Sequence, residues 1–267
     1  MPRFDVDRLE FVILVERAGL TRIPMVASYS NYGTPFQDIP RELEAAEQRC
    51  RDRGLIRFGG KVVDELQELL SIYSRTSVEY DLRFSAKKGT ELRAAVCRSG
   101  DSAVRTVVDG DRVLLDPVRP SDLIPAIVGV LPQHPPAKIR PPINVDLAEM
   151  RAAMADVRRR GVEDDRAIEE AVRARGVNVS AFRRVNQLLS GPRLGLGELG
   201  VTIWDERGKE HRGEQTIRII DLPAGRTAVY NSGTQRMFAG ADLGTFNRVL
   251  SELTKQTQRQ AAWEYQY

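Results

Sequence analysis

Two histidines, His134 and His211, and two cysteines, Cys50 and Cys97, are the whole supply of imidazole and thiol groups in this chain. Four such residues suffice for a zinc site. Zinc ligands, however, come in close pairs such as C-x-x-C or H-x-x-x-H, and these four are scattered. A histidine-activated nucleophile needs a hydroxyl or thiol beside one of the two rings. His134 lies in a proline-rich stretch and His211 in a charged turn, so both are expected to be solvent-exposed loop residues. No metal and no catalytic residue is expected.

Gly195-Leu-Gly197-Glu-Leu-Gly200 matches the letters of the dinucleotide fingerprint G-x-G-x-x-G. That motif works between a strand and a helix, where the helix N-terminus faces a pyrophosphate. Here a helical pattern precedes the glycines and a strand pattern follows, so they read as a flexible helix-to-strand connector, and no nucleotide or other cofactor is expected. Arg158-Arg159-Arg160 is the densest basic run. It falls at a helix end, where cations complement the helix dipole. Asp164-Asp165 precedes the next helix, where carboxylates favour the positive end. Asp109 and Asp111 flank a hairpin glycine and lack the further carboxylates of a calcium loop.

The composition narrows the function classes further. Lys and Arg number 40 against 37 Asp and Glu over 267 residues, a net charge of +3 that gives no strong electrostatic reason to bind nucleic acid. Hydrophobic residues make up 42% and charged residues 29%, which is globular rather than disordered. Two cysteines cannot make a disulfide framework. The first residues, Met1-Pro-Arg-Phe-Asp-Val-Asp7, carry no apolar signal-peptide core, and no run is long and apolar enough to span a membrane. A soluble, cytoplasmic protein is expected.

Elements follow from periodicity. Leu43, Ala46 and Cys50 mark one face of a helix opened by Pro40 and closed by Gly54. Val62 to Tyr73 repeats at helical spacing. Val78-Glu-Tyr80-Asp-Leu82-Arg-Phe84 alternates as a half-buried strand. Glu91–Arg98, Ala103–Val108 and Arg112–Asp116 follow as strands joined by Ser99-Gly100-Asp101 and by Asp109-Gly110, a strong hairpin signal. Ser121 is expected to cap a helix ending at Pro132. Pro132 to Pro142 is dense in proline and reads as a stiff extended link.

After the link the pattern returns. Leu147, Met150, Met154 and Val157 lie on one helix face; Ile168, Ala171 and Val172 mark the next, closed by Gly176. Ser180 is expected to cap the helix of Phe182, Val185, Leu188 and Leu189. Leu199–Ile203, Thr216–Ile220, Thr227–Tyr230 and Gln235–Phe238 form a meander, and Phe246, Val249, Leu250 and Leu253 share a face of the closing helix. The aromatic tail from Ala262 to Tyr267 is expected to dock or fray.

Matches between the halves are collinear at offsets of 119 to 123 residues, as in Gly54 with Gly176 and Ile127 with Leu250. One domain, 1–267, is expected, holding two pseudo-repeats at about 38–131 and 163–254 joined by the link 132–142 and related by an approximate two-fold. Helices followed by a strand also suggest a tandem winged-helix DNA-binding regulator. Against this, the helix that would enter a groove carries Asp64, Glu65 and Glu68, which would oppose phosphates.

An ordered series of residues resembles the EspG family, proteins associated with ESX (type VII) secretion. The series is Arg51-Asp-Arg-Gly54-Leu55-Ile56, Gly60-Lys-Val62, Leu66-Gln-Glu-Leu69-Leu70, Val78-Glu-Tyr80-Asp81-Leu82-Arg83, Leu92-Arg93-Ala94-Ala95-Val96, Asp109-Gly110-Asp111, Pro117-Val118 and Leu131-Pro132. It runs from about Val6 to about Leu253. The resemblance implies an α/β fold of α+β type: a twisted, mostly antiparallel sheet flanked by two helical bundles with quasi-two-fold symmetry. It implies a cytosolic chaperone, not an enzyme, that binds a PE–PPE heterodimer through the apolar tip of the PPE helices. It implies contacts through the sheet surface, the loop between the second and third strands, and the C-terminal bundle. By element that loop is Arg98-Ser99-Gly100-Asp101, and the closing bundle centres on Phe246 and Leu250. No nucleic acid or membrane partner is expected, and the free protein is expected to be a monomer or weak dimer.

Overall fold

Alternating strands and one-faced helices build two units, the first from residues 1–132, 199–214 and 250–267, the second from 133–198 and 215–249. The structure, a computed structural model, describes residues 2–28, 38–87, 89, 91–161 and 164–264; of Asp165 and Glu264 it describes the backbone alone. The expected repeat boundary at 163 and the tail residues Tyr265 and Tyr267 lie outside the described residues.

In the first unit, β1 (Phe4–Asp7) leads into α1 (Arg8–Arg17), α2 (Ile39–Asp52) and α3 (Asp64–Ser74). A meander follows: β2 (Val78–Ala86), β3 (Glu91–Ser99), β4 (Ser102–Asp109) and β5 (Arg112–Val118), then α4 (Leu123–Val128). The strand order is β1-β5-β4-β3-β2, with the later part of β7 (Gly195–Trp204) beside β2 and β8 (Glu210–Arg212) on β7. Every pairing whose register is resolved in named strands is antiparallel. Alternation decides the two faces. Tyr80, Leu82 and Phe84 point one way, where α4 packs on β2, β3 and β4. Ala95, Cys97, Val104, Val108 and Leu115 belong to the core formed with Phe11, Leu14, Leu66, Leu69, Leu70 and Tyr73 of α1 and α3.

In the second unit, β6 (Ile143–Asp146) leads into α5 (Leu147–Arg160), α6 (Asp165–Ala174) and α7 (Val179–Leu189). After β7 come β9 (Ile217–Leu222), β10 (Gly225–Ser232), β11 (Gln235–Gly240) and α8 (Leu243–Glu264), which crosses into the first unit after Val249. The strand order is β9-β10-β11-β6, all antiparallel, and Leu194 N donates to Asp221 O at 2.8 Å where β7 begins beside β9. Val145, Ile220, Leu222, Val229 and Phe238 pack against Ala153, Val157, Val172, Phe182 and Val185.

Residues 4–128 and 143–264 therefore run through the same series, a strand, three helices, a meander and a helix, with β8 as an addition to the second. In each the first strand pairs with the last strand of the meander, β1 with β5 and β6 with β11. The limits expected from the sequence, 38–131 and 163–254, leave out the leading strand and helix of both. Each leading strand ends on an aspartate that caps the following helix. Asp7 Oδ1 accepts from Glu10 N at 2.8 Å, and Asp146 Oδ1 accepts from Ala148 N at 2.9 Å and Glu149 N at 3.1 Å.

Several local expectations are corrected. Ser121 does not cap α4: it lies in the 3-10 turn Pro120–Asp122 and its Oγ donates to Asp122 Oδ1. That helix stops at Val128, short of Pro132. Asn178, not Ser180, caps α7 by accepting from Ala181 N at 3.0 Å. The glycines 195, 197 and 200 are no connector but lie inside β7. Asp164 behaves as its position suggests, accepting from Ala167 N at 2.7 Å. The proline link is extended and docks on β10, where Ala137 N donates to Arg226 O at 2.8 Å.

Candidate partner-binding surface

The turn Arg98–Asp101 is built by the β3–β4 ladder. Ser99 pairs with Ser102, leaving Gly100 and Asp101 as a two-residue loop. Gly100 sits at φ +56, the conformation that a tight hairpin demands of its first loop residue and that a side chain disfavours. Arg98 Nε donates to Gly100 O at 3.0 Å and Ser77 N to Arg98 O at 2.8 Å, so the turn is held at its base. Arg98 and Ser99 are half-buried; Gly100 and Asp101 are exposed. Counting β1, this turn joins the third and fourth strands, and the connection between the second and third becomes residues 87–90, of which Lys88 and Thr90 lie outside the described residues.

Phe246 and Leu250 are 1% and 0% exposed, so their side chains are core and cannot themselves meet a partner. Helical spacing alone marks the buried face of α8. The opposite face of the helix carries Arg248, Glu252, Lys255 and Arg259, all exposed. Within the second unit Arg248 Nη2 donates to Tyr230 OH at 2.7 Å and its guanidinium lies 5.4 Å from that ring's centre. Within the first, Tyr80 OH and Thr254 Oγ1 are 2.9 Å apart, and burial pushes the Tyr80 phenol above its usual value.

The sheet faces carry polar groups on the solvent side of the alternating strands. In the first unit Arg212 pairs with Asp81, Nη2 donating to Oδ1 at 3.0 Å, and its Nη1 donates to Thr202 Oγ1 at 3.0 Å. Burial opposes the Arg212 charge, but Asp81, with Glu79 and Glu210, outweighs it and holds the guanidinium above its ordinary value. Gly200 leaves the room that this guanidinium fills. In the second unit Arg218 Nη2 lies 3.4 Å from Glu198 Oε1, and Arg236 Nε donates to Asn231 Oδ1 at 3.0 Å. The wet residues of an alternating strand are visible in a sequence, but which of them converge depends on register.

Neither histidine is the free loop residue expected. His211 is buried, 4% exposed in β8, with Nε2 3.1 Å from Asp205 Oδ2, and His134 Nε2 lies 2.9 Å from Leu222 O. Cys50 and Cys97 are both buried. Burial pushes the Cys50 thiol up to about 12, far from the reactive thiolate range. Among the described residues, no group of three or more His, Cys, Asp or Glu is arranged to hold a metal ion, and no helix is long and apolar enough to cross a membrane.

Comparison with known proteins bears on what these features serve. No curated protein sequence matches the chain significantly. Among solved structures the chain is similar to the Mycobacterium tuberculosis type VII secretion system chaperone EspG5, determined in complex with a PE25–PPE41 dimer. The TM-score is 0.66 and the identity 16%, over 96% of each chain. At that identity the likeness speaks for the fold. The sequence profile of the EspG family matches residues 7–252, nearly the whole length, and the chain therefore belongs to the EspG family.

Proposed function

We propose that this protein is a cytosolic, non-enzymatic chaperone of type VII secretion that binds a PE–PPE-like helical heterodimer, keeps it soluble and directs it to its secretion system. The observation that carries this reading is the family match over residues 7–252. The similar EspG5 chaperone was captured with a PE25–PPE41 dimer, which supplies the client class. The physical logic is that a helical hairpin with an apolar tip aggregates when free, and burying the tip under a chaperone removes that exposed surface. An interface of standard size, apolar at its centre with charges at the rim, would suffice.

We assign the contacts on this chain to the turn Arg98-Ser99-Gly100-Asp101, to the exposed face of α8 backed by Phe246 and Leu250, and to the polar sheet faces. The two halves are read as repeats of one unit starting at β1 and β6. Binding of a nucleic acid duplex is disfavoured because the exposed face of α3 carries Asp64, Glu65 and Glu68. The test is co-expression with a PE–PPE-type pair from the same genome, followed by size-exclusion chromatography. Co-elution at one-to-one stoichiometry is expected; the double reversal Arg98→Glu with Asp101→Lys should weaken it, and so should Asp101→Lys alone, which leaves the Arg98 bond to Gly100 and the thermal unfolding unchanged. A pair equally soluble alone that never co-elutes would refute the reading for that client.

A further inference from the structure

We propose that Arg151, Arg218 and Arg236 form a cationic seat on the sheet face of the second unit that takes a carboxylate side chain from the client's helical tip. The inference rests on the chaperone reading above and names the chemistry by which this surface selects its client.

Register places the groups. Arg218 stands opposite Val229, and Asn231 opposite Arg236; Val229 and Asn231 are two residues apart on β10, so all four side chains share one face. It is the face on which α5, α6 and α7 pack through Ile220, Val229 and Phe238. Val145 of β6 stands opposite Arg236, and α5, which carries Arg151, begins two residues later at Leu147; the Arg151 charge acts on Arg236. Among the described residues Glu198 is the one carboxylate engaged here: it lies 3.4 Å from Arg218, and both are more than half exposed, at 56% and 58%. Arg236 is half-buried and donates only to the neutral Asn231 amide at 3.0 Å. Among the described residues neither Arg236 nor Arg151 has a carboxylate partner.

Like charges on one face repel one another, and folding by itself gains nothing from keeping Arg151, Arg218 and Arg236 there with a single carboxylate, Glu198, paired to Arg218. Burial, then Arg218, then Arg151 press the Arg236 guanidinium below its ordinary value. An incoming carboxylate would relieve the repulsion and accept charge-assisted bonds in a partly desolvated place. Leu196, two residues before Glu198 on β7 and 39% exposed, offers apolar ground on the same strand face. The charge of the chain is distributed accordingly. The second unit holds 16 Lys and Arg against 11 Asp and Glu, the first 24 against 26. The occupant that fits is an Asp or Glu flanked by apolar residues at the end of a helical hairpin.

The experiment uses the full chain and, as probe, the PE–PPE-type pair from the same genome. Affinity and melting temperature are measured for wild type, Arg236→Gln, Arg236→Glu and Arg218→Glu. Arg236→Glu should weaken binding by at least about 30-fold, and replacing one tip carboxylate of the client by Lys should restore it. Arg236→Gln should weaken binding with a melting temperature no lower than wild type. Equal affinity of the wild type and both glutamate variants would overturn the seat while leaving the chaperone reading intact. A lower melting temperature for Arg236→Gln would also overturn it, because Arg236 would then be a structural residue. If the wild-type chain itself fails to bind the pair, the chaperone reading falls and the seat with it.

Discussion

Glu79 and Cys97 stand opposite each other in the β2–β3 ladder, and the Cys97 thiol donates to Glu79 Oε2 across 3.6 Å inside the first unit. Burial pushes the Glu79 carboxyl up to about 7, and the nearby Asp81 adds to the shift, while the Cys97 hydrogen bond works against it. Burial and the Glu79 charge together raise the Cys97 thiol well above its usual value.

The consequence for stability follows from linkage. A carboxyl whose folded value is raised from 4.5 to about 7 binds its proton more tightly in the folded state. Its contribution to stability is therefore fully present below about 4.5 and is lost as the pH rises through about 7. Glu79→Gln stays neutral throughout. Urea unfolding at pH 4.5 and pH 8 should show the wild type losing roughly 3 kcal/mol relative to this variant over the interval. Parallel pH profiles of the two proteins would contradict the assignment.

Two glycines with close neighbours should respond differently to a methyl group. At Gly200 an added Cβ would meet the end of the Arg212 side chain, which can swing away; at Gly240 it would meet the backbone carbonyl of Ala137, which cannot. Gly240→Ala is expected to cost about 2 kcal/mol or more, and Gly200→Ala about 1 kcal/mol or less. Thermal denaturation of both variants decides the order, and the reverse order would refute the packing described.

Asp221 and Arg226 form a buried pair in the second unit, with Nε donating to Oδ1 at 2.7 Å and Nη2 to Oδ2 at 2.8 Å. Asp221→Ala removes the carboxylate that this buried guanidinium pairs with and should cost about 3–5 kcal/mol. Replacing both by apolar residues, Asp221→Leu with Arg226→Met, should cost clearly less than the single change, because no charge is then stranded. Chemical denaturation of the single and double variants provides the comparison.

The cap of α7 can be tested in isolation. Asn178→Ala removes the acceptor for Ala181 N and should cost about 1 kcal/mol, whereas Ser180→Ala should be close to neutral. Equal costs, or a larger one at Ser180, would restore the cap expected from the sequence.

Most elements were legible along the chain because their signals are local. Val78–Phe84 alternates with period two, and Leu66, Leu69, Leu70 and Tyr73 repeat at helical spacing, so each announces a buried face whatever lies against it. The turn glycines Gly100 and Gly110 and the prolines of 132–142 act through their own backbone restrictions. The strands β1 and β6 escaped notice because four residues carry too little pattern; they are strands by virtue of pairing with β5 and β11.

For the surface, the sequence by itself determined which residue types were available, two His and two Cys among them, and the ordered series that resembles a known family. Tertiary structure decided which residues face outward and which meet. It put Phe246 and Leu250 in the core, His211 against Asp205 inside it, and the three glycines of the apparent fingerprint within β7. It also set Arg218 and Arg236, 18 positions apart along the chain, on one face of the sheet. The reason is physical: a period marks a face but not what covers it, and the charge felt by Arg236 depends on strand register and helix packing, which no local pattern encodes.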